Sequence, residues 1–383
     1  MTMGILLPAI SAEFDLSYLQ PGLFYAVPVW GVVIVTLPLS LWTVRYRPVM
    51  LTTTTLAIAG IFLFLQASAT MFIVLLAARL GFGVVLAARE PARALFMQQW
   101  FRQREVIFVN GVTISVLSFG FAGGLLGMPL LLSTLDNNWR STLYVLCGFS
   151  VLLSIVWAIV ARDKPVQDHQ VSGTDKQRGL PRSIFLNKQL WITGLAIFGG
   201  TSAEASFLAF YPTVMLDRYD FPLRFSGVVM GLMYLGCSIS CLVVGRMAIN
   251  WEIRSKILWF AGICMPFMFA ALLFTDSLPF LCAIAVMNGL TVGYMVILLT
   301  IGFHLPGIHI RHRPTAHVFL FTFLALGTAT GPVLSGFLQD SLNNLTLVLI
   351  LASSSSVFVA APGFFVRKLS NPSDASQVAT EKI

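Results

Sequence analysis

Charge is what this sequence has least of. Aspartate, glutamate, lysine and arginine make up 10% of its 383 residues, against about 25% in soluble chains. With 57% of the residues hydrophobic, that scarcity excludes a water-soluble globular domain. Strict apolar–polar alternation is missing too, which excludes a barrel of the outer-membrane type. Cys147, Cys237, Cys241, Cys264 and Cys282 all fall within apolar runs, where each reads as a small buried hydrophobe and not as half of a disulfide. No basic stretch precedes the first apolar segment, so no cleavable signal peptide is expected. Neither a phosphate-binding glycine loop nor a catalytic triad is present. An ATP-driven pump and an intramembrane hydrolase therefore find no support; the chain reads as a non-enzyme without a cofactor.

What is there in quantity is apolar run. Stretches near 22–44, 49–68, 71–99, 106–132, 141–161, 190–215, 226–249, 257–275, 279–303, 317–338 and 346–366 are each long enough to cross a hydrocarbon layer of ~30 Å. Helices satisfy their own backbone there, so the expected fold is all-α, with the lipid bilayer as its solvent. The opening "MTMGILLPAI" reaches only ~15 Å at 1.5 Å per residue. It reads as the end of an incomplete first span, for twelve in all.

The net charge of +8 would suggest nucleic acid in a soluble protein. Here it sorts by side instead, and no nucleic-acid partner is expected. "RYR" (45–47), "FRQRE" (101–105), residues 162–188, "NWEIRSK" (250–256), "RHR" (311–313) and the tail from Arg367 form one set of loops. The opposite set carries Asp15, Asp136, Asp217, Asp220, Asp276 and Asp340, with Arg140, Arg218 and Arg224. Basic residues alternate sides from loop to loop, so the first set is expected to be cytoplasmic, with the C-terminus. A multi-pass protein of the plasma (cell inner) membrane follows.

Residues 162–188 are the one long polar interruption and read as a cytoplasmic linker. They divide a helical half at 1–161 from a second at 189–366, with a tail at 367–383. The halves echo each other: "TLDNNWRSTLYVL" precedes span six and "LQDSLNNLTLVLI" precedes span twelve, about 206 residues on. Two parallel six-helix halves are a transporter architecture.

Several motifs then occur in one order. They are "LPAISAEFDLS" (7–17), Arg79 with Gly83 and Pro91, "WFRQRE" (100–105), Trp139-Arg140, and "LGTATGPVLSGFLQD" (326–340). Together they resemble the major facilitator superfamily across essentially the full chain. The loop after span two keeps the family's basic residues as Arg45 and Arg47, but Pro38 and Trp42 stand where the family has glycine and aspartate. The resemblance implies a monomeric secondary transporter working by alternating access. It also implies a central cavity lined by spans one, four, seven and ten.

Few charges lie deep. Arg89, Glu90 and Arg93 fall ~27–33 Å along span four, at the cytoplasmic boundary, where they anchor by snorkelling and i,i+3 pairing. Arg79 lies ~12 Å below the outer surface, Glu204 ~10 Å and Asn288 ~13 Å, which puts three polar side chains in one layer. A mid-membrane charge costs roughly 3 kcal/mol or more and is normally turned to a partner or a wet cavity. Two readings stay open. One is a structural ion pair or separate backbone pairs. The other gives Arg79 an anionic substrate and Glu204 a proton, since a carboxyl removed from water can exchange protons in the working pH range. Phe207 and Tyr211, near the face of Glu204, either wall the substrate or pack.

"HLPGIHIRHRPTAH" (304–317) has four histidines, but its arginines repel a cation, and it reads as a solvated loop without metal. Gly120/Gly124, Gly123/Gly127 and Gly327/Gly331 are small-xxx-small pairs that serve helix packing or gating. The expected cargo is a small organic or inorganic anion, moved with a proton or another coupling ion. Efflux of amphiphilic compounds is the alternative within transport. A non-transporting receptor or scaffold is the alternative of another class.

Overall fold

The computed structural model describes residues 3–16, 19–43, 47–89, 96, 100, 106–163, 186–247, 251–301, 305 and 313–368. Every regular element among them is helical. In chain order they are α1 (Met3–Phe14), α2 (Leu19–Thr43), α3 (Pro48–Ala67), α4 (Phe72–Leu86), α5 (Val106–Thr134), α6 (Trp139–Val160) and α7 (Lys188–Tyr219). There follow α8 (Leu223–Met247), α9 (Trp251–Ala271), α10 (Leu278–Thr291), α11 (Tyr294–Ile301), α12 (Arg313–Leu342), α13 (Leu345–Ser354), a 3-10 segment (Ser355–Ala360) and α14 (Gly363–Lys368). Nine helical stretches among the described residues are long and apolar enough to cross a membrane, and three shorter apolar helices stand at the first, second and fourth expected spans. The chain is a multi-pass membrane protein.

The helix ends are written in local chemistry. Arg47 is extended and Pro48 opens α3, where its missing N–H costs nothing. Asn138 caps α6 by accepting from the Arg140 and Ser141 amides. Asn187 does the same for α7 with Gln189 and Leu190, and Asn344 caps α13 through Leu347. These side chains satisfy backbone donors that a helix start leaves open.

The same punctuation recurs one half-chain later. Asp15 after α1 and Asp220 after α7 are left-handed, with φ 50° and 51°. Asn137 and Asn343, each just before an Asn cap, have φ 55° and 50°. Asp and Asn tolerate this region through short side chains that bond locally. The echo seen in the sequence is thus a repeat of backbone conformation.

Packing falls into two compact units. The larger comprises Met1–Ile5, Ile107–Pro129 and Leu180–Ile383; the smaller comprises Leu6–Val106 and Leu130–Gly179. Most of α5 therefore packs with the second half of the chain. The physical reason is a close seam with α8: Gly227 lies against the Leu125 carbonyl, Gly231 against Leu126, and Gly111 within 3.6 Å of the Cys241 carbonyl. Ser115 and Ser238 lock it, each hydroxyl donating to the other's carbonyl at 2.8 and 3.0 Å.

Within each unit one helix crossing is built the same way. In the smaller, a Cβ on Gly83 would strike the Pro28 carbonyl, and one on Gly31 would stand 2.8 Å from the Leu80 carbonyl. In the larger, Gly289 meets the Met233 carbonyl and Gly236 the Val286 carbonyl at 2.5 Å. Reciprocal glycines thus bring α2 to α4 and α8 to α10 at equivalent places of the repeat.

Close approach of α5 comes through Gly111 and Ser115, whereas a Cβ on Gly120, Gly123 or Gly127 would meet nothing within 4 Å. Gly327 and Gly331 do bind helices closely, against Phe198 and Ser202 of α7. Overpacking costs about 1–3 kcal/mol, so Gly289→Val should lower the thermal stability of the detergent-solubilised protein by at least that order. Gly120→Ala should be neutral or stabilising by up to about 1 kcal/mol through helix propensity. Equal losses in both variants would contradict this packing scheme.

Candidate functional site

In the smaller unit the key side chain is Arg79, in the middle of α4 and 5% exposed. Its surroundings follow from a proline. A helical carbonyl normally accepts from the amide four residues on, but Pro28 has no N–H to give Phe24. The free Phe24 carbonyl accepts from Arg79 Nε at 3.3 Å, and the guanidinium lies over the Phe24 ring, 4.3 Å from its centroid. Arg79 Nη1 reaches Gln66 Oε1 at 3.5 Å, and Gln66 Nε2 is buried without a partner. Gly83, one turn on, admits the backbone of α2 at Pro28. Among the described residues no carboxylate pairs with Arg79. A guanidinium has five N–H donors, so this buried cation retains capacity for an anion.

In the larger unit α7 is the central helix: 78% of its membrane window is buried inside the protein, against 11% for α6. That burial lets α7 carry a charge. Glu204, 8% exposed, accepts a 2.5 Å hydrogen bond from the Tyr234 hydroxyl of α8. Tyr234 is fixed edge-on against Phe121 of α5, with centroids 5.4 Å apart. One turn further along α8, Cys237 meets Ser118 at 3.3 Å and Cys241 at 3.9 Å.

Asn288 on α10 is fully buried; its amide faces Met233 Sδ at 3.8 Å and its carbonyl oxygen has no partner. Phe207 and Tyr211 stack at 4.5 Å, and Phe207 also packs on Phe269 of α9 at 4.9 Å. The Tyr211 hydroxyl is another buried group without a partner. Glu204, Asn288, Phe207 and Tyr211 therefore all belong to the larger unit, and Arg79 to the smaller. Of the remaining expected positions, Arg47 is exposed and Arg89 is exposed. Arg45, Glu90 and Arg93 lie outside the described residues.

Three participants were not singled out from the sequence. Phe24 carried a readable signal, the proline four residues after it. Tyr234 carried none, because tyrosine is an ordinary membrane residue. The third is Glu13. Trp139 Nε1 donates to Glu13 Oε2 at 2.6 Å and Arg140 Nη2 to its Oε1 at 2.5 Å. Arg140 Nη1 also caps the end of α3 through the Ala67 and Ala69 carbonyls at 3.0 and 2.5 Å. One arginine thus ties the ends of α1, α3 and α6 together.

Comparison with known proteins agrees with this architecture. A family profile described as the Major Facilitator Superfamily matches residues 1–307. A protein described as a probable L-galactonate transporter of Escherichia coli (strain K12) is 22% identical over 305 residues, 71% of this chain and 64% of the relative. The match therefore spans less than two thirds of that relative's length. Among solved structures, the fold is similar to a bacterial homologue of the human lysosomal transporter Spinster. In its inward-facing unoccupied form that structure gives a TM-score of 0.63 at 16% identity, covering 96% of this chain and 91% of the other. The occupied form gives 0.59 at 16% identity, covering 100% and 93%.

The Glu13 network predicts non-additivity. Glu13→Gln and Arg140→Gln should each destabilise the solubilised protein. The double variant should recover a coupling of about 1 kcal/mol, read by thermal unfolding. Strict additivity of the two losses would mean the pair contributes nothing.

Proposed function

The chain belongs to the Major Facilitator Superfamily, and from that premise we propose that it is a secondary transporter carrying a small organic anion together with a proton by alternating access. The observation that carries this reading is Arg79, a buried guanidinium held by a carbonyl and an amide oxygen. Carbonyl partners orient a guanidinium without neutralising it, so its attraction for a carboxylate or phosphate is retained. The anion would complete its donors in bidentate fashion. Galactonate, the cargo in the name of one relative, is a hydroxylated carboxylate and fits that chemistry. In the larger unit, the unpartnered oxygens of Asn288, Tyr211 and Tyr294 are groups that substrate hydroxyls could pair.

Glu204 is assigned the proton. A buried carboxyl is tolerable in the neutral form, and Tyr234 donates to it in the ionised form, so both protonation states have a place. Gly327 and Gly331 give α12 its close approach to α7, where small residues favour sliding contacts during the cycle. The basic loops place the linker and C-terminus on the cytoplasmic side of the cell inner membrane. Phe207 and Tyr211 form the aromatic wall behind Glu204, and Arg45 with Arg47 anchors the loop that follows α2.

The test is uptake of labelled L-galactonate, with other sugar acids and inorganic phosphate as alternatives, into vesicles holding the purified protein under an imposed pH gradient. Arg79→Gln should lose about two orders of magnitude in apparent affinity or more, as expected for removal of a charged, desolvated contact. Glu204→Gln should keep substrate exchange and lose the acceleration by the pH gradient. Uptake by Glu204→Gln with an unchanged proton dependence would overturn the coupling assignment, and Arg79→Gln with normal affinity would overturn the anion assignment.

A further inference from the structure

The tenth span is not one helix. It runs as α10 to Thr291 and resumes as α11 at Tyr294. Between them the backbone tightens to three-residue hydrogen bonds, Val292 to Gly289, Met295 to Val292 and Val296 to Gly293. Such interruptions often mark functional positions. Gly293 at the break allows α8 to press in, since a Cβ there would strike Ser240. The residue delivered by the break is Tyr294, which is fully buried.

Its hydroxyl has a defined place and no partner. It occupies the space a side chain on Gly200 of α7 would fill, with Val359 of the 3-10 segment on the other side. Gly200 and Glu204 are one turn apart on the same face of α7, about 6 Å along the axis. The Tyr294 hydroxyl is within electrostatic reach of the Glu204 carboxyl. A buried tyrosine hydroxyl normally finds a hydrogen-bond partner, and leaving one without costs about 1–3 kcal/mol. Here a wholly buried hydroxyl stands unpaired beside a carboxyl that already has a different tyrosine bonded to it. The two tyrosines have different work: Tyr234 holds Glu204, and Tyr294 waits.

We propose that Tyr294 is the relay through which Glu204 exchanges its proton with water on the Lys188 side of α7. The inference rests on the reading of Glu204 as a proton carrier. In the step, the Glu204 O–H bond breaks and its proton joins the Tyr294 oxygen. The original Tyr294 O–H proton passes at the same time to a water molecule. Glu204 is left as carboxylate, the water as hydronium, and Tyr294 as a neutral phenol again. The other titratable groups facing Tyr294 are Cys237 and Cys241 of α8, while the 3-10 segment presents the apolar Val359.

The experiment needs no substrate. The purified full chain in detergent is taken through a pH jump while infrared absorption follows the carboxyl C=O stretch that Glu204→Gln removes. In Tyr294→Phe that band should reach the same end points with the same pH midpoint, at a rate lower by roughly tenfold or more, the scale on which a positioned proton-transfer group acts. Tyr234→Phe should instead move the midpoint. If Tyr294→Phe does not fold, 3,5-difluorotyrosine placed at position 294 keeps the shape and makes the hydroxyl more acidic; the rate should change without a change of midpoint. A band that relaxes at the parent rate in these variants overturns the relay and leaves the proton carrier standing. A parent protein with no band that Glu204→Gln removes overturns the carrier, and the relay falls with it.

Discussion

A carbonyl deprived of its amide partner by proline is what makes a guanidinium tolerable inside this protein. In a bilayer no water is at hand to satisfy stray backbone groups, and every one of them must be paired internally. Pro28 breaks that rule at Phe24, and Arg79 repairs it. The repair runs both ways: the carbonyl and the Phe24 ring stabilise the cation without cancelling its charge. A carboxylate in their place would have made a closed ion pair. The arrangement explains how a charge costing several kcal/mol in lipid can remain available for chemistry.

The same economy organises the larger unit. α7 is buried on nearly all sides, so it can bear Glu204 where a lipid-facing helix could not. Helices meet there through glycine against backbone, at Gly289 and Gly236 as at Gly83 and Gly31 in the smaller unit. Such crossings bring the chains close enough to deliver side chains from α8 and α10 onto α7. Tyr234 and Asn288 both reach the interior beside one of these crossings. Repetition of the crossing in each half, together with the left-handed Asp15/Asp220 and Asn137/Asn343 pairs, marks the two halves as versions of one structural unit.

Much of this was legible in the sequence because its signals are local. The spans follow from run length, the caps from Asn before an apolar run, and the repeat from "DNNWR" against "LNNLT". Arg79 and Glu204 stood out because a charge in an oily stretch is conspicuous. Their partners were not legible. Phe24, Gln66, Tyr234 and Glu13 lie 30 to 127 residues away from the groups they bond, and no periodicity reports such distances. The glycine pattern misled for a related reason: spacing at Gly120 and Gly124 shows that a helix has a small face, not what approaches it. Gly111 belongs to no such pair, yet it is where α5 comes close to α8.

The central claim is that Arg79 is a cation kept unpaired for an anionic cargo. Equilibrium binding of a carboxylate to the purified protein tests it most directly, by calorimetry at several salt concentrations with the parent and Arg79→Lys. The account predicts saturable binding that weakens with salt, and a marked loss in Arg79→Lys, because lysine keeps the charge but lacks the planar pair of donors. Carboxylate binding of equal strength in both proteins, or none in the parent, would contradict it.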